Sequence, residues 1–241
     1  MSKFDQRYLR NQSTIGLHEQ ADLKASTVAI VGLGGLGGWA SEYCARLGIG
    51  KLILIDFDCV DVSNLNRQLF ATESSIGMDK VELAMRRLRE VNSEVEYHVM
   101  KKRLNEENAI ELLKGADIVI DALDSITTRK ILFKACKSLA IPCVHGSIGS
   151  WFGQVMLIDP MSNVVEQLYQ NVSEKGIEQK LGNPVFTASC IASIQVAETC
   201  KYLLNKENGL KSRLLNIDLL NMEFKNINYI GRASWLGILL L

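Results

Sequence analysis

None of the six cysteines (Cys44, Cys59, Cys136, Cys143, Cys190 and Cys200) falls into a C-x-x-C pair. The usual zinc knuckle is therefore absent and no zinc site is expected. A chain of 241 residues buries a sizeable core without disulfide staples, so the thiols read as reduced and mostly buried. Net charge is lacking as well, because 27 Lys and Arg balance 27 Asp and Glu. Nucleic-acid binders need a broadly basic surface, which excludes that class. No apolar run reaches the roughly 20 residues of a membrane helix. The apolar tail Trp235 to Leu241 is too short to cross a bilayer. The opening stretch, Met1 to Asn11, is polar and has no apolar signal core. These absences predict a cytoplasmic protein that binds neither membrane nor nucleic acid. The chain also has no internal repeat and no low-complexity tract.

What is present is a regular alternation. Residues 1–25 read as a helical N-terminal arm. Thr27 to Val31 is a β-branched apolar run, hence a buried strand; Gly32 to Gly38 is a glycine loop; Trp39 to Leu47 is a helix ending near Gly48 and Gly50; Lys51 to Asp56 is a second strand. Strand, glycine turn, helix and strand make a βαβ unit, so the sheet starts parallel. Helical spacing recurs over Val81 to Val91, Glu106 to Lys114 and Thr128 to Leu139. Strands fit Val95 to Val99, Asp117 to Leu123 and Cys143 to His145. After Gly149 the rhythm changes: a strand at Gln154 to Asp159, a long polar crossing loop over 161–184, a helix over Phe186 to Leu204 and a closing hairpin over Leu214 to Ile230. The expectation is one α/β domain over 1–241, a Rossmann-like, doubly wound and mostly parallel sheet extended by antiparallel C-terminal strands.

The glycine loop reads Gly32-Leu33-Gly34-Gly35-Leu36-Gly37. Missing side chains let phosphates approach backbone amides, and the following helix N-terminus favours anions. Asp56 ends the next strand, where a carboxylate can hold ribose hydroxyls. So far this indicates an adenine nucleotide without separating NAD from ATP, and close helix–strand packing alone would also call for these glycines.

The following segment is more specific: Asp56-Phe57-Asp58-Cys59-Val60-Asp61-Val62-Ser63-Asn64-Leu65-Asn66-Arg67-Gln68, with Lys80 beyond it. A dehydrogenase has no use for Asn, Arg and Lys gathered past the ribose aspartate. A reaction at the α-phosphorus does, because a carboxylate must attack a polyphosphate and pyrophosphate must leave. Asp124, after the Asp117 to Leu123 strand, is a hard oxygen donor suited to Mg²⁺.

On these residues the chain resembles the MoeB/ThiF/HesA family, the bacterial relatives of ubiquitin-activating enzymes. The resemblance is carried by Gly32 to Gly37, the D-F-D-x-V-x-x-S-N-L-x-R-Q stretch and Gly77-x-x-Lys80. It continues through Asp121 to Arg129, Gly153-Gln154, Ser193-Ile194-Gln195 with Glu198, and Asp218 to Phe224, covering about residues 5–228. It implies that Gly32, Gly34, Gly35, Gly37, Asp56 and Asp58 hold ATP, with Asp56 on the ribose. Asn64, Arg67 and Lys80 would contact phosphates, Asp124 would bind Mg²⁺, and Arg129 would match the family's arginine on the following helix. Arg10 matches the arm arginine that reaches a neighbouring subunit's ATP, which implies a homodimer with sites completed in trans.

The expected reaction is adenylation of the C-terminal Gly-Gly carboxylate of a ubiquitin-like sulfur carrier. That carrier would serve thiamine, molybdenum or tungsten cofactor assembly, or a related sulfur route. The alternatives are an NAD-dependent oxidoreductase, or adenylation of a small molecule, a peptide or a tRNA base. The crossing loop lacks cysteine, and Cys190 begins an apolar helix, so sulfur transfer is expected to fall to another protein. Ser125 stands where relatives often have Asn. His18, His98 and His145 read as structural, because the attacking carboxylate is already ionised.

Overall fold

The structure, a computed structural model, describes residues 6–164, 181–207, 209–211 and 213–228. Most of the expected crossing loop (165–180), the last two residues of the expected hairpin and the apolar tail Trp235 to Leu241 lie outside the described residues. The chain runs through α1 (Leu17–Ala25), β1 (Thr27–Val31), α2 (Gly35–Leu47), β2 (Lys51–Asp56), α3 (Lys80–Val91), β3 (Glu96–Lys101), α4 (Ala109–Leu113), β4 (Ile118–Asp121), α5 (Ile126–Leu139), β5 (Cys143–Gly149), β6 (Phe152–Ile158), α6 (Val185–Leu203), β7 (Arg213–Asp218) and β8 (Glu223–Asn228).

All eight strands join one sheet, ordered β3-β2-β1-β4-β5-β6-β7-β8. The first five are parallel to their neighbours, and β6, β7 and β8 extend the sheet antiparallel. The expected doubly wound sheet with an antiparallel extension is what forms. Side chains alternate across a strand, so a strand covered on both faces is apolar throughout. In β1, Val28 and Ile30 join the core beneath α2, α3 and α6, while Ala29 and Val31 join the core beneath α4 and α5. Each fully buried Val or Ile contributes about 1.5–3 kcal/mol, and β1 is buried at four of its five positions. A charge at Ile30 would unseat one whole layer.

Several boundaries differ from expectation for physical reasons. Helix α2 begins at Gly35 rather than Trp39, because the second half of the glycine loop is its first turn. Strand β4 stops at Asp121, where the chain turns out of the sheet. Helix α5 starts at Ile126 because Ser125 caps it, its Oγ accepting from the Thr128 amide at 3.4 Å. Strand β5 runs on to Gly149 because all seven of its residues pair with β6, from Cys143↔Ile158 to Gly149↔Phe152. The arm contains α1 and an irregular turn around residues 8–14.

Candidate active site

A cavity of about 320 Å³ opens at the C-terminal ends of the parallel strands, where open α/β sheets bind ligands. Gly32, Gly34, Gly35, Asp56, Asp58, Arg67, Lys80 and Asp124 all line it. Three expected residues do not. Gly37 lies under the loop, where an added Cβ would stand 1.8 Å from the Gly32 carbonyl oxygen. Asn64 turns its Oδ1 back to accept from the Asp61 amide at 3.1 Å, which stabilises the 3₁₀ turn Val62–Asn64. Arg10 is exposed on the arm and outside the cavity lining. The arm is anchored by Tyr8, which packs over Gly48 at the C-terminal end of α2 and accepts from Asn92 Nδ2 at 2.8 Å. The cavity lies at the other end of that helix, about 20 Å away.

Each functional side chain is placed by identifiable local structure. Gly32 adopts φ +93°, and a Cβ there would meet the Ala122 carbonyl oxygen at 2.6 Å; only glycine fits. That tight turn aims the N-terminus of α2 at the cavity. Its N-cap, Gly34, offers no side-chain cap, so the first amides of the helix stay available to an anion. Asp56 is buried and accepts from the amides of Leu33 at 2.6 Å and Asp58 at 2.8 Å. Burial pushes its carboxyl above the usual aspartate range, and those two amides pull it back. Each carboxylate oxygen has two lone pairs, so acceptor capacity remains for a ribose hydroxyl.

Lys80 comes from the start of α3, where the chain folds back on the segment after β2. Val60 donates to Met78 O at 2.9 Å, Gly77 to Val60 O at 2.8 Å and Lys80 to Asp58 O at 3.1 Å. This ladder buries the Lys80 stem and sets its Nζ 3.2 Å from Asp58 Oδ2. Arg67 follows the 3₁₀ turn and donates through Nη1 to Ser63 O and Asn66 Oδ1, both at 2.9 Å. Its stem lies 3.5 Å from where a Gly35 Cβ would be. Asp124 makes no hydrogen bond or ion pair among the described residues, and it is exposed to the cavity.

Gln68 and Arg129, from the segments that carry the resemblance, also line the cavity, whereas another part of the wall was not anticipated. Lys102, Arg103 and Leu104 leave the C-terminal end of β3 and line the cavity, with the Arg103 guanidinium 3.5 Å from the centroid of the Phe57 ring. The usable signal was their place just after a parallel strand. Asn183, ahead of α6, lines the opposite side. Cys190 is half-buried and burial raises its thiol, so little thiolate forms there near neutral pH. His145 is wholly buried and paired with Asp121 at 2.7 Å. No group of three or more His, Cys, Asp or Glu side chains suited to a metal occurs among the described residues, and no described helix is long and apolar enough to cross a membrane.

Residues 7–234 match the ThiF family. The chain belongs to that family. It is 34% identical over 231 residues to the SAMP-activating enzyme E1 of Haloferax volcanii, covering 92% of this chain and 84% of that protein. It is 33% identical over 213 residues to the molybdopterin-synthase adenylyltransferase of Haemophilus influenzae, covering 86% and 87%. Against adenylyltransferase and sulfurtransferase MOCS3 of Culex quinquefasciatus, identity is 35% over 226 residues, with 92% of this chain and 52% of that protein covered. This ThiF-family chain thus spans most of the first two relatives and about half of the third. Solved structures share its fold. PaaA superposes with a TM-score of 0.80 at 22% identity, covering 96% of this chain and 75% of that one. The tRNA N6-threonylcarbamoyladenosine dehydratase TcdA of E. coli, in complex with ATP, gives 0.74 at 24% identity, covering 85% and 96%.

Proposed function

We propose that this ThiF-family chain is an ATP-dependent adenylyltransferase that activates the C-terminal glycine carboxylate of a small ubiquitin-like sulfur-carrier protein ending in Gly-Gly. The observation that carries this reading is one cavity that joins uncapped helix amides, a buried Asp56, the cations Arg67 and Lys80, and an Asp124 with no hydrogen bond or ion pair among the described residues. The names of the Haloferax and Haemophilus relatives support it.

The residues fit ATP. Asp56 holds the ribose, and the amides at Gly34 and Gly35 face the phosphates. A carboxylate oxygen of the carrier attacks the α-phosphorus, a new P–O bond forms, and the bond to the pyrophosphate oxygen breaks, leaving an acyl-adenylate. Lys80 and Arg67 neutralise the charge that builds on the phosphates. No general base is required, because the nucleophile is already ionised. Mg²⁺ is usually held by one or two carboxylates together with phosphates. Asp124 is the cavity residue suited to that, and the ion would offset phosphate charge there.

Arg10 is exposed on the arm and outside its own cavity's lining, which supports a role in a neighbour's cavity; on that reading the working enzyme is a homodimer in the cytoplasm. Sulfur transfer falls to another protein. Cys190→Ala is expected to leave carrier sulfuration intact, and its loss with adenylation spared would refute that assignment.

The experiment is ATP–pyrophosphate exchange with a purified carrier ending in Gly-Gly. Exchange should require both carrier and Mg²⁺, and deletion of the terminal glycine should abolish it. A protein that catalyses no exchange with such carriers, and whose melting temperature rises with NAD but not with ATP, would overturn the proposal.

A further inference from the structure

Asp121 closes β4 with a carboxylate that is wholly buried, and both of its oxygens are engaged. Oδ1 accepts from the Leu123 amide at 3.0 Å. Oδ2 lies 2.7 Å from His145 Nδ1 and 3.5 Å from Arg129 Nε. Arg129 is 1% exposed, an unusual place for arginine. Its Nη2 donates to the Leu123 carbonyl at 2.5 Å and to the Gly146 carbonyl at 3.2 Å. Leu123 is therefore gripped at both its amide and its carbonyl by one buried ion pair. The next residue is Asp124, and the one after it, Ser125, is tied down as the cap of α5. The Asp124 carboxylate thus stands at the cavity on a backbone held on both sides while making no hydrogen bond or ion pair among the described residues.

The supports of this clamp come from three further elements. His145 on β5 is set edge-on against Phe133 of α5, ring centroids 5.8 Å apart. Gln195 of α6 donates through Nε2 to the carbonyls of Asp121 at 2.8 Å and Val144 at 3.0 Å, locking the ends of β4 and β5 together. Burial keeps His145 below the usual histidine range, so it is neutral and donates to Asp121. Arg129 and Asp121 then cancel in charge. An ion pair this deep stabilises a fold poorly compared with apolar packing, whereas aiming a metal-binding side chain depends on such outer partners.

We infer that Asp121, Arg129 and His145 form a positioning unit whose task is to aim Asp124 at the metal that accompanies the nucleotide. Asp121 and His145 stand behind the cavity lining, and Arg129, which reaches its wall, has its Nη2 engaged by the Leu123 and Gly146 carbonyls; the unit acts through the Leu123 peptide groups. This deepens the adenylation reading and rests on it.

The test is calorimetric titration of ATP into the folded protein, once with Mg²⁺ and once with EDTA. Arg129→Lys, which cannot fork across two carbonyls and a carboxylate, should weaken Mg-ATP binding about tenfold or more. Metal-free ATP affinity should stay nearly unchanged. Asp124→Asn should show the same selective loss, and the double variant should lose nothing further, because both changes remove one effect. Losses that are equal with and without metal, or that multiply in the double variant, would overturn the positioning role. Where Arg129→Lys does not fold, His145→Ala should show a smaller loss of the same metal-selective kind. His145→Asn, which keeps a donor toward Asp121, should restore binding; a loss that Asn does not rescue would overturn the inference. Wild-type protein that binds no ATP in either buffer would overturn the adenylation reading itself.

Discussion

Replacing Gly37 by alanine would set a methyl carbon 1.8 Å from the carbonyl oxygen of Gly32 and 2.8 Å from its carbonyl carbon. Both are backbone atoms of a turn that has its own constraint, since Gly32 sits at φ +93° with no room for a Cβ against Ala122. Nothing in that contact is a flexible side chain. Either α2 slides outward by more than an ångström, or the turn that aims its N-terminus deforms. Overpacking of this kind costs about 1–3 kcal/mol, occasionally more, and this contact belongs at the upper end. Against that, alanine in a helix recovers roughly 0.5–1 kcal/mol over glycine. The net expectation is a loss of about 2–3 kcal/mol.

Gly35, two residues earlier on the same helix, makes the internal control. A Cβ there would meet Arg67 carbons at 3.5 Å and Ala188 Cβ at 3.6 Å, which is ordinary contact. Gly35→Ala should therefore be neutral or stabilising by up to about 1 kcal/mol. Urea unfolding followed by circular dichroism should separate the pair by roughly 1 M or more in midpoint, given slopes of about 1–3 kcal/mol per molar. Gly37→Ala should weaken ATP binding only along with stability, by deforming the turn that aims α2, whereas Gly35→Ala should weaken it without loss of stability. Gly35 lines the cavity at the uncapped amides of α2, so its methyl group blocks anion approach and should weaken ATP binding about tenfold or more. Equal midpoints for the two variants would refute this division into a packing glycine and a ligand glycine.

Lys80→Ala should lower pyrophosphate exchange about 10²–10³-fold, with a midpoint little changed because its partner Asp58 is half exposed; exchange within a few-fold of wild type would remove Lys80 from the chemistry. Arg10→Ala and Lys80→Ala, each inactive alone, should recover about a quarter of wild-type exchange when co-refolded, since half of the dimers formed are mixed and each mixed dimer carries one intact site of two; no recovery would place Arg10 outside the neighbour's site. His145 has a folded pKa below its unfolded one, chiefly through burial. Its stabilising contribution is therefore complete above about pH 6.5 and is lost as pH falls from there through the lowered value, by at most ~1.4 kcal/mol per pH unit. Urea midpoints of His145→Asn between pH 7.5 and 5.5 should consequently fall less steeply than those of wild type, and parallel curves would refute a buried neutral imidazole.

Local periodicity made most of the sheet legible. β-branched runs bounded by glycine turns announced β1 and β2, and the change of rhythm after Gly149 announced the antiparallel extension, because a strand that follows another without a helix between can only fold back. The cavity lining was legible where residues close in sequence are also close in space, as with Asp56, Asp58 and Arg67. Asn64 shows the limit: the resemblance gives it a phosphate contact, and no local pattern says that its Oδ1 also accepts from the Asp61 amide. Gly37 shows another, because a glycine motif does not say which glycine meets a ligand and which meets backbone.

The clamp beneath Asp124 was illegible for a different reason. Its contacts join residues 17, 24 and 74 positions apart, and no local pattern encodes such pairs. Arginine is ordinarily read as solvated, so Arg129 carried no sign that it would be enclosed. Enclosure becomes tolerable only after β4, β5, α5 and α6 have closed around it, because only then do two carbonyls and a carboxylate converge on one guanidinium. The same closure explains why His145 must be neutral. A second buried cation beside Arg129 would leave the single carboxylate of Asp121 outnumbered in a dry interior. The charge state of the clamp is thus a consequence of packing order, and the direction in which Asp124 faces follows from it.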